Sequence, residues 1–93
     1  MEAIEFRKDA REFLAWLAQN PGGYVLNRDR LENTQRQMIL HRSRCLMFRT
    51  HHDNPDAFTG RKAIKVCASS VEALDAYVRQ HGGSLARCRV CNP

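Results

Sequence analysis

No apolar run in this sequence approaches the roughly 20 residues that a bilayer-spanning helix needs. Its first residues, Met1-Glu2-Ala3-Ile4-Glu5, have neither the basic opening nor the long apolar centre of an export signal. The expectation is a cytoplasmic chain with no membrane partner. Internal repeats and low-complexity segments are also missing, which argues against a solenoid or a linker. No H-E-x-x-H or H-x-E arrangement sets a carboxylate beside a metal-binding imidazole, so a hydrolytic zinc enzyme is not expected. No RNP-like aromatic pattern or recognition-helix signature is present, and base reading is therefore unsupported.

What remains is an ordinary globular composition on a small scale. The chain has 93 residues, 43% apolar and 27% charged, which suits one domain. We take 1–93 as that domain, with an N-terminal helical segment over 1–23 and an α+β core over 24–93. A core of this size is marginal without a staple. Lys plus Arg number 15 against 10 Asp plus Glu, a formal charge of +5. Such a moderate excess draws the chain toward nucleic acid or toward any acidic partner.

The residues that carry chemistry fall in two short stretches. His41-Arg42-Ser43-Arg44-Cys45 offers an imidazole and a thiol four residues apart, and Cys88-Arg89-Val90-Cys91 offers two thiols from one tight turn. Zinc takes four nitrogen and sulfur ligands at the corners of a tetrahedron, and each stretch can supply two corners. His41, Cys45, Cys88 and Cys91 are therefore the expected zinc ligands. Three thiolates lower the formal charge by three and Zn²⁺ raises it by two, leaving +4. Spaced cysteines in a reducing compartment mean metal more often than disulfide, although a Cys88–Cys91 disulfide remains an alternative. A thioredoxin-type redox pair fits poorly, because no helix follows the C-x-x-C to lower a thiol pKa.

Cys67 fits three roles. It can be a small buried thiol at a strand end, it can replace His41 in an all-thiolate site, or it can be a free reactive thiol. His51 and His52, beside Asp53, can hold a second metal, but His-His-Asp in a polar loop is more often solvated surface. His81 fits the negative end of a helix. Five arginines bracket the ligand pairs: Arg42, Arg44 and Arg49 around the first, Arg87 and Arg89 around the second. Arg61, Lys62 and Lys65 lie on the stretch between. Guanidiniums gathered in this way can hold phosphate in bidentate fashion, or can merely offset thiolate charge.

The pattern of elements is readable in outline. Residues 1–8 are ambiguous: Ile4 and Phe6 alternate with charges, as in a short strand, but an extra helical turn also fits. Asp9 and Glu12 form a capping box for a helix over Ala10–Gln19, with Phe13, Leu14 and Leu17 on one face and Trp16 beside them. Asn20-Pro21-Gly22-Gly23 stops it. Tyr24–Asn27 reads as a strand, 28–36 as a connection or a loose turn of helix, and Gln37–Leu40 as a second strand that delivers His41. Ser43–Phe48 suits one helical turn, and 50–60 is turn-rich and reads as a loop. Arg61–Cys67 reads as a third strand. Ser69 and Glu72 form a capping box for a helix from Ser70 to about His81, with Val71, Leu74 and Val78 as its apolar stripe. The expected fold is thus a small zinc-stabilised α+β domain: an N-terminal helix, about three antiparallel strands, a second helix, and a C-terminal Cys-x-x-Cys knuckle.

These residues carry a resemblance. Leu40-His41-Arg42-Ser43-Arg44-Cys45, then Ile64-Lys65-Val66, a helix opened by Ser69, Glu72 and Ala73, and finally Arg87-Cys88-Arg89-Val90-Cys91-Asn92-Pro93 resemble the small zinc domain at the N-terminus of the bacterial Ada DNA-repair protein. They look closer still to His-x-x-x-Cys relatives that occur as accessory modules in bacterial proteins, nucleases among them. The resemblance covers roughly 37–93. It implies the zinc site and an affinity for phosphate. In Ada the first residue of the first pair is a cysteine that accepts a methyl group from a DNA phosphotriester. That position here is His41, and an imidazole would not serve as that acceptor.

The expected function is therefore a zinc-binding module, not an enzyme, that uses an arginine-rich surface around the metal to bind nucleic-acid phosphates or a protein partner. The residues expected to make that contact are Arg42, Arg44, Arg49, Arg61, Lys62, Arg87 and Arg89. The alternatives are a single-turnover alkyl-acceptor protein of the DNA-repair kind and a small mobile-element interaction or inhibitor protein.

Overall fold

The computed structural model describes residues 3–7, 10–29, 37–48 and 63–93. The expectations at Asp9, Arg49, His51, His52, Arg61 and Lys62, in the 50–60 loop, and in the connection from 30 to 36 lie outside these residues. In chain order the elements are β1 (Ile4–Phe6), α1 (Ala10–Gln19), β2 (Tyr24–Asp29), β3 (Gln37–Arg42), a 3₁₀ turn (Leu46–Phe48), β4 (Ala63–Ala68), α2 (Val71–Gln80) and β5 (Ser84–Arg87).

The class is α+β, but the sheet is larger than expected and is not purely antiparallel. It has five strands in the order β1-β4-β2-β3-β5. The pairs β1–β4, β4–β2 and β2–β3 are antiparallel, whereas β3–β5 is parallel. Both added strands have physical reasons. The Ile4/Phe6 alternation is a genuine strand signal, and Ile4 to Phe6 pair with Cys67 to Lys65. Ser84-Leu85-Ala86-Arg87 has little β propensity of its own. It becomes a strand because α2 carries the chain across the sheet, and its backbone then pairs with Gln37–Leu40. Parallel strands require a crossover of this length.

Helix α2 is capped one residue later than expected. Strand β4 runs to Ala68, so the residue directly before the first helical position is Ser70. The Ser70 Oγ accepts the Ala73 N–H at 3.3 Å, and Ser69 with Glu72 does not form the box. At the other end the Gly82 N–H donates to the Arg79 carbonyl and the Gly83 N–H to the Val78 carbonyl. Gly82 has φ 65°, the left-handed conformation that this helix stop requires.

The helices cover opposite faces of the sheet. On one face Leu74, Tyr77 and Val78 of α2 pack on Leu26, Met38, Leu40, Ile64 and Val66. Tyr77 belongs to this buried stripe together with Leu74 and Val78, while Val71 is only partly covered. On the other face Phe13 of α1 packs with Val25, Phe48, Cys67, Cys45 and Cys88. Leu14, Trp16 and Leu17 are partly buried around that second cluster, as the helical spacing anticipates. Gly23 lets the turn after α1 close against the sheet, since a Cβ there would meet Trp16 Cη2 at 2.6 Å.

A polar network fastens β1 to α2. The Tyr77 hydroxyl donates to Glu5 Oε2, and Arg28 Nη1 donates to the Tyr77 hydroxyl at 2.6 Å. The Tyr77 hydrogen bond holds the Glu5 carboxyl below the usual carboxylate range. On the α1 face Lys65 is buried, and its Nζ donates to Asn27 Oδ1 at 2.6 Å. Burial pushes its pKa from 10.5 down to about 8.

Two outcomes follow for stability. Phe13 is fully buried, and Phe13→Ala removes a ring from the centre of its cluster. It should destabilise the fold by about 3–5 kcal/mol, read from the urea midpoint. Lys65 should make stability rise with pH between about 8 and 10.5, because over that window the unfolded chain keeps the proton that the native amine has released. Burial raises the Cys67 thiol pKa and works in the opposite sense above its ordinary value of 9.0. The Lys65 contribution is therefore read as the stability of wild type minus that of Lys65→Met, which should rise in favour of wild type from pH 8 upward. A difference that stays flat contradicts it.

Candidate metal centre

The four expected ligands come from two chain segments that the sheet sets side by side. His41 lies near the end of β3. One residue past β5, the Cys88 N–H donates to the Leu40 carbonyl at 2.9 Å, which prolongs the parallel ladder and brings Cys88 beside His41. After β3 the chain folds tightly: the Cys45 N–H donates to the Arg42 carbonyl and the Phe48 N–H to the Cys45 carbonyl, each at 3.0 Å. The Ser43 N–H donates to the Gly23 carbonyl, tying this turn to the end of α1. The Asn92 N–H donates to the Cys88 carbonyl and closes the C-x-x-C turn. Asn92 has φ 47°, a conformation that asparagine tolerates better than most residues.

One nitrogen of His41 and the sulfurs of Cys45, Cys88 and Cys91 all lie within 4.8 Å of one another. The Cys45 and Cys88 sulfurs are 3.8 Å apart. A tetrahedron with metal–sulfur bonds of about 2.3 Å has edges of about 3.8 Å, so this pair already stands at coordination spacing. His41, Cys45 and Cys88 are buried and Cys91 is partly exposed. Two main-chain donors are aimed at sulfur: Arg42 N–H to Cys91 Sγ at 3.2 Å and Val90 N–H to Cys88 Sγ at 3.3 Å. At Cys88 such a donor favours the thiolate over the thiol.

The electrostatics fit a cation. Burial, with the Lys65 charge adding to it, pushes the His41 pKa from 6.5 down to about 4, so the ring is neutral and free to ligate. Its Nδ1 is buried with no hydrogen-bond partner, and such an orphaned nitrogen is costly unless something fills the space before it. The Phe48 ring meets the imidazole edge-on at 5.1 Å between centroids. Burial raises the Cys88 thiol pKa, but the N–H groups of Cys91 and Val90 and the neighbouring Cys45 and Cys91 thiols outweigh it, and the net shift is downward. This donor set can hold one metal ion.

Cys67 is not part of the group. It stands on the same sheet face, with Val25 between it and His41 in the register. It is fully buried beside Phe13 and Val25, and burial raises its thiol pKa well above the ordinary range. That is the environment of an inert packing thiol.

The arginines divide into two kinds. Arg42 is engaged: its Nε donates to the Cys91 carbonyl at 3.2 Å and its Nη2 to the Asn92 carbonyl at 3.4 Å. Arg87 Nη1 donates to the main-chain oxygen of Pro93. Arg44 and Arg89 are exposed and make no hydrogen bond or ion pair among the described residues. The sequence shows seven cations but not this division, because the carbonyls that hold Arg42 lie 49 and 50 residues away. The buried Ser43 hydroxyl, which has no partner among the described residues, was likewise unmarked by any motif.

Comparisons with protein-family models, with curated proteins and with solved structures find no match.

Purified untagged chain should carry one equivalent of transition metal, measured by plasma mass spectrometry. Cys88→Ser should lose it, whereas Cys67→Ala should retain it. Retention by Cys88→Ser would remove that residue from the ligand set.

Proposed function

We propose that the chain is a zinc-closed binding module without catalytic activity, and that it docks through the rim of its metal centre onto the phosphates of nucleic acid. The observation that carries this is a complete set of four converging ligands beside two unengaged arginines, Arg44 and Arg89. Three sulfurs and one imidazole nitrogen suit zinc, a borderline-soft ion that accepts tetrahedral coordination. Four protein ligands fill that tetrahedron. A catalytic zinc keeps one position open for water or substrate, and this site offers none once all four bind. The resemblance to the Ada zinc domain agrees with the metal and the phosphate affinity. Alkyl transfer is left out of the proposal because His41 stands at the acceptor position.

Among the described residues no helix is long and apolar enough to cross a membrane. Thiolate ligands keep their metal best where the surroundings are reducing, as in cytoplasm. One observation favours a protein partner as a second reading. Leu46 and Val90 are 59% and 56% exposed, one directly after Cys45 and the other inside the C-x-x-C turn. Apolar side chains flanked by arginines also make protein interfaces.

The test is binding of a labelled DNA duplex across a salt series. Each phosphate contact contributes about −0.9 to the slope of log K against log salt, so Arg44→Glu with Arg89→Glu should flatten the slope by about 2. Absence of binding at low salt would remove nucleic acid and leave the protein partner.

A further inference from the structure

A groove of about 320 Å³ runs between the turn after α1 and the end of β3. Pro21, Gly22, Gly23, Tyr24, Arg42 and Arg44 line it. We propose that this groove is a binding site for a single phosphate-ester group, with Arg44 as its direct contact and Arg42 as a positioning residue. The inference rests on the phosphate reading above and gives it a location.

Among the described residues the charge of the lining is one-sided: two guanidiniums and no carboxylate. Their roles differ. Arg42 is held in place by the Cys91 and Asn92 carbonyls, so its positive charge is fixed at the wall. Arg44 has no partner among the described residues, and its planar fork is available to two anionic oxygens at once. Opposite the arginines lie Pro21, Gly22, Gly23 and Tyr24, two of them glycines. A Cβ added at Gly22 would meet nothing within 4 Å, so a ligand can approach the backbone there closely.

Size and shape select the ligand class. The volume lies at the lower end of small-molecule sites, enough for a phosphate and part of its sugar. Tyr24 is half-buried and its side chain packs on the core beneath α2, so it provides no open platform for stacking a base. Recognition here is by charge and hydrogen bonding. The groove is also built by the metal centre, because Arg42 donates its N–H to Cys91 Sγ and Ser43 joins its own N–H to the Gly23 carbonyl.

The phosphate can belong to a nucleic-acid strand or to a free small molecule, and one experiment separates them. Metal-loaded full chain labelled with ¹⁵N is titrated at low salt with inorganic phosphate, with adenosine monophosphate and with a short DNA duplex. The amides of Gly22, Gly23 and Tyr24 and the Arg44 side chain should shift. Arg44→Ala should weaken the response roughly ten-fold, the usual loss for a hydrogen bond to a charged group. Gly22→Val should weaken it by obstruction with no change of charge. Both variants should keep their metal, since neither side chain touches the ligands. Shifts with the duplex assign a strand as the source, and shifts with phosphate and the nucleotide alone assign a free phosphate and sink the nucleic-acid reading while the groove stands. A groove silent to all three probes overturns the inference. If the duplex then binds elsewhere on the chain, the nucleic-acid reading survives without it.

Discussion

Three thiols and one imidazole nitrogen within 4.8 Å of one another, on a ring whose buried Nδ1 has no partner, make an expensive interior unless a cation lies among them. Neutral thiols are weak hydrogen-bond partners, and the orphaned nitrogen has no other donor or acceptor. Thiolates would repel one another in the same space. A divalent ion resolves both problems at once, and for zinc in finger peptides the apparent gain is about 10–16 kcal/mol. A domain of this size has little stability to spare from its apolar core. The ion would therefore hold together the chain's middle and its last turn.

The sheet sets the spacing of the ligands. The parallel pairing of β5 with β3 continues as the Cys88–Leu40 hydrogen bond, which fixes one ligand beside His41. Helix α1 and Phe48 cover that face and keep water from the imidazole, while α2 anchors the opposite face through Leu74, Tyr77 and Val78. Coordination would then contract a cluster whose Cys45–Cys88 spacing is already that of a tetrahedral edge. Little reorganisation remains.

Features encoded locally were legible in the residues. The spacing of His41, Cys45, Cys88 and Cys91 pointed to one site because each pair needs only a short turn to aim two ligands. The α1 and α2 stripes were visible through their 3.6-residue period. What escaped depends on distant partners. Ser84–Arg87 carries no strand pattern and acquires its conformation from Gln37–Leu40. The placement of Cys67 follows from a register with Val25 that no short-range signal sets. Tyr77 reaches Glu5 across 72 residues of sequence. Two adjacent serines competed for one cap, and the end of β4 decided for Ser70.

The central claim is that the metal supplies the stability that the small core lacks. The most direct test is thermal unfolding of the purified chain, followed by far-ultraviolet circular dichroism, as a strong chelator is added and zinc is then restored. The account predicts loss of the cooperative transition on chelation and its recovery with one equivalent of zinc. An unchanged transition in the fully chelated chain would contradict it.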